Sequence, residues 1–341
     1  MKIPSVLYTA LTDQIRPAID KSVRYRTRDG RLIATAFTEG VWVEASGGAG
    51  FPAFDVTIAK NHAVGLLELA KNQGGDLEME LADHALRVRS GQAAFSFPFA
   101  DELPEAPHVA ADEPSPKGFA SALKQVIPAV SSDPARGVLC GVLLDEENVV
   151  ATDGIRLHRA HAARNTHPPE TSITVPLLWA KTVAKINKDG CLGSDREGRI
   201  MFVFDGKEGE VSVVVVGQAL EGTYPDWSQF SHEGVPSVVV NRQTLLRTIT
   251  TSAALGDNAE VEVVLVEGQI GVKTAAGAML VPGRDASGSS EKPIKLDGRF
   301  VVAALESTTV DEVRFGGLEG FGPASIAALD GSFLAIVCAR R

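Results

Sequence analysis

The stretch Val149-Val-Ala-Thr-Asp-Gly-Ile-Arg-Leu157 carries most of the information about the fold of this chain. It lies in the second hairpin region of the sequence, and Arg136-Gly-Val-Leu-Cys-Gly-Val142 precedes it by about one hairpin strand. Farther along, Gly222-Thr-Tyr-Pro-Asp-Trp227 stands in a segment that is rich in loop formers. Outward from these segments, the rest of the chain shows a repeated pattern of predicted secondary structure.

A helix followed by paired strand-like runs recurs six times along the chain. Apolar residues at three- and four-residue spacing predict helices that begin near Ser5, Lys60, Pro116, Pro176, Asn241 and Asp297. Alternating apolar residues with turn pairs such as Asp205-Gly206 predict antiparallel hairpins after them. Because proline disrupts helical hydrogen bonding, we expect the first and third helices to end or kink at Pro17 and Pro128.

The helix-and-hairpin units also pair at a longer period, which predicts three similar domains. Lead helices begin near residues 5, 116 and 241, and the segments between them contain many loop formers. The predicted domains are residues 1–113, 114–234 and 235–341. Each is large enough to bury its own core, unlike the shorter repeats of solenoids. The predicted fold class is α+β, with two helices per domain on paired antiparallel sheets.

Length and composition exclude several classes of protein. The chain has 341 residues, of which 44% are hydrophobic and 22% are charged, as is usual for a folded protein with more than one domain. No apolar run approaches the ~18 residues that a membrane-spanning helix needs, and the N-terminus lacks the apolar core of a signal peptide. We therefore expect a cytoplasmic protein. The net charge of −10 argues against a basic coat that binds nucleic acid from outside.

Charge is distributed unevenly between the predicted helices and the rest of the chain. The helical segments contain five acidic residues and twelve basic ones, which are Arg16, Lys21, Lys60, Lys71, Lys117, Lys124, Lys181, Lys185, Lys188, Arg242, Arg247 and Arg299. If the helices share a face, that face is positive on an acidic protein. The alternative is that lysine and arginine simply favour solvated helices.

Motifs of catalysis, cofactor binding and metal binding give no site. Residues 283–290 have the glycine spacing of a phosphate loop but lack its lysine, and we interpret them as a mobile hairpin loop. His158 and His161 follow a strand-like run without a nearby third ligand, which favours surface histidines. The three cysteines are far apart, which supports neither a disulfide framework nor a zinc site. We expect no enzyme activity, no cofactor and no metal.

Residues 149–157 resemble the ATDGHRL signature of bacterial DNA polymerase III β sliding clamps, with Ile155 in place of the usual histidine. Residues 222–227 resemble the family's G-x-[FY]-P-D-[YF] linker into the third domain. The resemblance implies a head-to-tail homodimer whose six domains close a ring, with the basic helix residues facing duplex DNA. Such a ring is a non-enzymatic processivity factor that holds DNA regardless of sequence and tethers a polymerase.

The resemblance also implies an apolar cleft between the second and third domains, where short peptides of the polymerase and the clamp loader bind. Its floor would be Leu139, Thr152, Gly154, Ile155, Arg156 and Leu157, and its far wall would be Val337, Cys338, Ala339 and Arg340. The family tail is usually M-P-M-R-L, of which only Arg340 is kept here. Methionine is the adaptable residue of surfaces that bind many partners. Its loss predicts that the cleft accepts a narrower range of peptides or a different one. The alternative for the floor is core packing or, at Thr152 and Gly154, a tight strand end.

The dimer contact implied by the resemblance joins Ala254 and Leu255 of the third domain to Leu103 and Ala106 of the first. These side chains are smaller than is usual in the family, and each lost methylene removes up to ~0.8 kcal/mol of burial. A weaker, concentration-dependent ring is therefore expected. A second hypothesis stays open, in which a clamp-derived scaffold or decoy binds polymerase peptides without encircling DNA.

Overall fold

The computed structural model describes residues 1–111, 113–162, 172–207, 210–230, 236–274, 277–288, 292–317 and 322–340. The chain forms two units. Unit 1 consists of Met1–Ser115 and Leu178–Ala219, and unit 2 consists of Pro116–Leu177 and Leu220–Arg341. Both units combine helices with antiparallel sheets, so the predicted α+β class is confirmed.

The helices begin at or within three residues of the predicted positions. Within the described residues they are α1 (Ser5–Ile15), α2 (Lys60–Gln73), α3 (Phe119–Val126), α4 (Leu177–Ile186), α5 (Arg242–Leu255) and α6 (Gly298–Ser307). Pro17 and Pro128 lie in short 3₁₀ turns directly after α1 and α3, since a proline lacks the amide hydrogen that another helical turn requires. Asn241 and Asp297 cap α5 and α6 with their side chains.

The strands are short and most of them follow one another in hairpins. The first thirteen are β1 (Lys2–Pro4), β2 (Ser22–Arg28), β3 (Arg31–Thr38), β4 (Val41–Gly47), β5 (Asp55–Ala59), β6 (Asp76–Ala82), β7 (Ala85–Ser90), β8 (Ala93–Pro98), β9 (Glu113–Pro114), β10 (Gly141–Asp145), β11 (Asn148–Thr152), β12 (Arg156–His161) and β13 (Ile173–Pro176). The others are β14 (Cys191–Ser194), β15 (Arg199–Phe204), β16 (Ser212–Gln218), β17 (Ser237–Asn241), β18 (Glu260–Val266), β19 (Gln269–Thr274), β20 (Gly277–Val281), β21 (Gly283–Ser287), β22 (Ile294–Asp297), β23 (Glu312–Gly316), β24 (Ala324–Ala328) and β25 (Phe333–Val337).

Within the described residues, each unit contains one long sheet and one four-stranded sheet. In unit 1 the strand orders are β5-β2-β3-β4-β16-β15-β14-β9 and β1-β6-β7-β8. In unit 2 they are β13-β10-β11-β12-β25-β24-β23-β17-β21 and β20-β19-β18-β22. The strand β21 corrects one expectation, because residues 283–287 pair with β17 and do not form a loop. Residues 289 and 290 of that motif lie outside the described residues.

Both long sheets cross the predicted domain boundaries. In unit 1, β4 of the predicted first domain pairs with β16 of the second, with Val43 opposite Val215. In unit 2, β12 of the predicted second domain pairs with β25 of the third, with Leu157 opposite Ile336. The division into three domains stays a prediction, and hydrogen bonding within each long sheet ties neighbouring predicted domains together.

The helices of each unit pack over its sheets. In unit 1, α1 contacts α2 and lies on β3 and β4. Trp179 of α4 is fully buried, and a Cβ at Gly217 of β16 would approach its indole to 2.8 Å, so this strand requires glycine there. In unit 2, α5 contacts α6, and α3 lies on β12. Most of the predicted basic residues lie on these helices, and most of them are exposed.

Candidate functional site

The turn between β11 and β12 in unit 2 is built by two side chains of the ATDGIRL stretch. The Asp153 Oδ1 atom accepts hydrogen bonds from the backbone amides of Ile155 (2.9 Å) and Arg156 (3.0 Å). The Thr152 hydroxyl accepts from the amide of Gly154 (3.0 Å) and donates to the Arg156 carbonyl (2.6 Å). Such short polar side chains replace missing backbone partners in tight turns. The motif therefore fixes the backbone that presents Ile155.

A small apolar cavity of about 150 Å³ opens beside this turn. Its lining residues, all in unit 2, are Leu139, Thr152, Gly154, Ile155, Arg156, Leu157, Pro225, Asp226, Trp227, Gln229, Phe230, Ile336 and Cys338. Ile155 is 46% exposed and Phe230 is 40% exposed, so two large apolar side chains meet solvent at one cavity. An apolar surface of this kind, which folding leaves uncovered, is typical of a binding site.

The floor of the cavity belongs to a packed core. Leu157 and Ile336 are buried with residues of β10, β11, β24 and β25, and Tyr224 and Trp227 pack against this cluster. The Tyr224 hydroxyl accepts a hydrogen bond from the Thr152 amide (3.0 Å), and the Trp227 indole N–H donates to Asp145 (2.9 Å). Burial raises the pKa of Tyr224. The loop that carries one wall of the cavity is thus anchored by two half-buried aromatic rings.

Charged groups hold the rim of the cavity. Arg156 forms an ion pair with Asp153 at 3.0 Å, and its guanidinium lies 4.3 Å from the centre of the Phe300 ring. Arg136 donates to the Asp153 carbonyl, beside Gly154. Burial raises the pKa of the Cys338 thiol, which keeps that side chain neutral in the cavity wall. The rim is therefore rigid and polar around an apolar centre.

Seven of the ten residues predicted for the cleft line this cavity: Leu139, Thr152, Gly154, Ile155, Arg156, Leu157 and Cys338. Val337 is fully buried in β25, and Ala339 does not line the cavity. Arg340 lies elsewhere, because it donates to the Asp297 carboxylate at 2.5 Å and lines a separate polar cavity. The hydrogen bonds to Arg299 and Arg340 lower the pKa of Asp297, although its burial acts in the opposite direction.

Sequence reasoning missed one wall of the cavity. Residues 225–230 were interpreted only as part of a linker, and Ile336 was not assigned to the site. A signal was present, since Tyr224, Trp227 and Phe230 are aromatic residues at three-residue spacing in an otherwise polar loop. Aromatic side chains at such spacing indicate a segment that packs against an apolar surface of the protein.

Gly154 provides a stability prediction. Its φ of +82° lies in the left-handed region, and a Cβ there would approach the Arg136 Nη1 atom to 2.9 Å. We expect Gly154→Ala to lower the free energy of unfolding by about 1–2 kcal/mol. Gly65 on α2 is the control, because a Cβ there meets open space, and Gly65→Ala should raise stability by roughly 0.5–1 kcal/mol. Urea denaturation of both variants checks the pair, and a Gly154→Ala variant as stable as the parent would contradict it.

The predicted DNA-facing residues of unit 1 lie on its helices or shortly after their ends, since α1 ends at Ile15 and α4 at Ile186, before Lys21 and Lys188. Arg16, Lys21, Lys60, Lys71, Lys181, Lys185 and Lys188 are all exposed. Lys71 pairs with Asp13 (3.1 Å) and Lys188 pairs with Glu210 (2.6 Å). Within the part of the chain that the structure describes, Arg16, Lys21, Lys60 and Lys181 form no ion pair. Much of the positive charge of these helices is therefore available to an anionic partner.

In unit 2 the predicted basic residues are less uniform. Lys117, Lys124, Arg247 and Arg299 are exposed, whereas Arg242 is half-buried and donates to the carbonyls of Val310 (2.7 Å) and Leu305 (3.1 Å). Arg299 forms an ion pair with Asp297 at 2.7 Å. The placement of Arg242 therefore gives it a structural part at the end of α6, and its contact with DNA stays a prediction.

The residues predicted for the dimer contact have different surroundings. Leu103 and Ala106 are half-buried in a segment that is fixed to unit 1: the Trp42 indole donates to the Pro104 carbonyl (3.1 Å), and Arg26 pairs with Glu105 (3.1 Å). In unit 2, Ala254 and Leu255 end α5 and are exposed, Leu255 by 57%.

Two edge strands carry exposed large apolar side chains that the sequence analysis did not identify. β8 forms one edge of the four-stranded sheet of unit 1, and its Phe95 is 40% exposed. β20 forms one edge of the four-stranded sheet of unit 2, and its Leu280 is 63% exposed. Neither strand contains a charged residue. Uncharged apolar edges normally attract another strand.

Other motifs take plain structural positions. His158 is fully buried in β12, so the expectation of a surface histidine is wrong there. Its Nδ1 atom lies 2.9 Å from the Gln125 carbonyl, and α3 covers it because the strand faces the core at this point. The three cysteines are free. In the described ranges, no cluster of residues suited to a metal ion and no helix suited to crossing a membrane is found.

No model of a known protein family matches the chain, and no curated protein matches it. Solved structures do match. The DNA polymerase sliding clamp of Pseudomonas aeruginosa, solved with a ligand, has a TM-score of 0.85 at 15% identity, over 100% of this chain and 99% of that one. The clamp of Bacillus subtilis has a TM-score of 0.82 at 19% identity, over 100% and 98%. The DnaN sliding clamp of Bartonella birtlesii, bound to griselimycin, has 0.85 at 16%, over 100% and 99%. The chain therefore has the sliding-clamp fold.

Proposed function

We propose that this protein is a DNA sliding clamp, a non-enzymatic processivity factor that encircles duplex DNA in the cytoplasm. One observation carries the proposal. In a chain with the sliding-clamp fold over its whole length, eleven of the twelve basic residues predicted to face DNA are exposed on or beside the helices. The rest of the protein is acidic, so its negative charge disfavours the binding of free DNA from outside.

The mechanism needs no reacting group. A closed ring holds DNA because it surrounds it, and lysine and arginine contacts to phosphate then need only be weak and independent of base sequence. Weak contacts let the ring slide. A polymerase that binds the ring stays at a high effective concentration near the primer end, which raises the number of nucleotides added in each binding event.

The cavity beside Ile155 is the proposed docking site for peptides of the polymerase and the clamp loader. Its apolar centre suits one or two buried aliphatic or aromatic side chains, and its polar rim suits the peptide backbone. The clamp of Bartonella birtlesii was solved with griselimycin, and we propose that this molecule binds here as well. In the M-P-M-R-L tail of the related family, methionine stands at the positions of Val337 and Ala339 and proline at that of Cys338. The smaller, less adaptable wall that results here selects a narrower set of peptides.

Ring closure requires a second copy of the chain. We propose that β8 of one protomer pairs with β20 of the other, because both are uncharged edge strands with an exposed large side chain, Phe95 and Leu280. The exposed end of α5 with Leu255 extends this contact. A head-to-tail contact of this kind repeats twice in a closed dimer, and it leaves neither edge free.

Topological retention tests the function. The protein at high concentration is incubated with nicked circular DNA, excess protein is removed by gel filtration, and the DNA is cut once. We expect the protein to remain on circles, to leave after cutting, and to remain again when streptavidin blocks both biotinylated ends. Equal retention on circular and linear DNA would instead favour the scaffold or decoy, which binds peptides without encircling DNA.

A further inference from the structure

Two lysines from different helices of unit 1 bind Asp13 of α1, and Arg16 follows Asp13 closely in the chain. Lys71 of α2 forms an ion pair with Asp13 of α1, with Nζ and Oδ1 3.1 Å apart. Lys185 of α4 donates to the backbone carbonyl of the same Asp13. Arg16 lies three residues farther along the chain and is exposed. We call Arg16, Lys71 and Lys185 the unit 1 cation cluster.

Lys71 and Lys185 lie close together because both bind Asp13, one through its carboxylate and the other through its carbonyl. Burial lowers the pKa of Lys185; the charge of Asp13 opposes this change, and the charges of Arg16 and Lys71 add to it. The cluster is therefore one local concentration of positive charge, and Asp13 is the anion inside it.

Asp13 is not needed to complete a buried network. Its side chain is 36% exposed and that of Lys71 is 33% exposed, and an exposed pair of this kind adds little to folding stability. The other carboxylate on α1, α2 and α4 is Glu68, which forms no ion pair within the described residues. An acidic residue among the basic residues proposed to contact DNA lowers the affinity of that surface for phosphate. Its position therefore calls for a functional reason.

We propose that Asp13 is a counter-charge that reduces the affinity of the unit 1 cation cluster for the DNA backbone, so that the protein slides on DNA. This inference rests on the proposed function. The carboxylate holds the Lys71 ammonium group in place between encounters, and the Asp13 carbonyl holds that of Lys185. The negative charge of the carboxylate opposes each phosphate that approaches them. Phosphate contacts stay short-lived as a result, because every contact forms against a fixed negative charge.

Asp13→Asn tests the inference. The variant keeps the shape of the side chain and removes its charge. We expect the affinity for a short linear duplex to rise about three- to tenfold at about 50 mM salt, since one unfavourable Coulomb interaction is lost. The gain should shrink at higher salt because screening grows. On long DNA the diffusion of the variant along the duplex should become slower.

Two controls separate this role from others. Glu78→Gln removes a carboxylate of the same unit that is also paired with a lysine, Lys2 at 2.9 Å, but lies on a strand. It should leave duplex binding unchanged. Asp13→Asn combined with Lys71→Gln restores the formal charge of the cluster and should return the affinity to near its original value.

The possible results are distinct. If Asp13→Asn leaves affinity unchanged or lowers it, or if Glu78→Gln raises it equally, the inference is overturned. If Asp13→Asn tightens duplex binding while no variant is retained on circles, the counter-charge survives and the clamp function fails. Circular dichroism and urea denaturation of each variant establish that the fold is unchanged, so that a change in affinity reports on charge.

Discussion

Leu280→Asp should convert the protein from a dimer to a folded monomer. Leu280 is 63% exposed on β20, so the chain itself loses almost nothing when the residue is replaced. In the proposed ring the same position is buried against β8 of the second copy. Burying an unpaired carboxylate there should cost about 2 kcal/mol or more at each of two contacts, which together raise the dimer dissociation constant about a thousandfold.

The control for this prediction is Leu329→Asp. Leu329 is also an exposed leucine of unit 2 (48%), but it lies in the turn between β24 and β25, away from any sheet edge. Sedimentation equilibrium over a range of concentrations should show a dimer for the parent and for Leu329→Asp, and a monomer for Leu280→Asp. The monomer should also fail to stay on nicked circles. A Leu280→Asp variant that dimerises as well as the parent would remove β20 from the contact.

Mild acid should destabilise the fold through His158. This side chain is fully buried, and burial lowers its pKa from 6.5 to about 4. Below pH 6.5 the unfolded chain binds a proton at this residue, whereas the folded chain binds it only near pH 4. The contribution of the neutral His158 to the free energy of unfolding is therefore fully present above pH 6.5. It is lost as the pH drops toward 4, by about 3 kcal/mol in total.

His158→Gln should remove most of this pH dependence. Its amide group can still donate to the Gln125 carbonyl, which now accepts from the histidine at 2.9 Å. The comparison is cleanest between pH 6.5 and 5, because the carboxylates begin to titrate below this window. His161→Gln, on the same strand but with a side chain 41% exposed, is the control. As the pH falls, the denaturation midpoints of the parent and of His161→Gln should decrease together, whereas that of His158→Gln should decrease less. Equal pH dependence of all three proteins would contradict the stated cause.

Local patterns in the sequence predicted the helices well. Apolar spacing set the start of α2 at Lys60, and the two prolines set the ends of α1 and α3, because these effects depend on neighbours along the chain. The turn residues Thr152 to Leu157 were also identified, since their side chains satisfy one another within a few residues. The sliding-clamp fold was expected because two of these local motifs, residues 149–157 and 222–227, resemble those of the sliding-clamp family.

Long-range pairing was not predicted. The burial of His158 depends on α3, which lies more than thirty residues earlier, and the exposure of Leu280 depends on which strands its sheet leaves at the edge. The wall formed by Trp227 and Phe230 depends on how their loop packs against the core of unit 2, which lies far away in the sequence. Periodicity describes which face of a strand is apolar, but not which partner covers it.

The two long sheets also guide the engineering of chimeras. A graft that exchanges residues 114–234 with those of a relative would replace β16 but not its partner β4, and β12 but not its partner β25. Foreign ladders would then have to match native ones in register and twist. A graft that exchanges Met1–Ser115 together with Leu178–Ala219 replaces the whole of unit 1, and the remaining residues make up unit 2. Every strand of a given sheet then comes from the same parent protein.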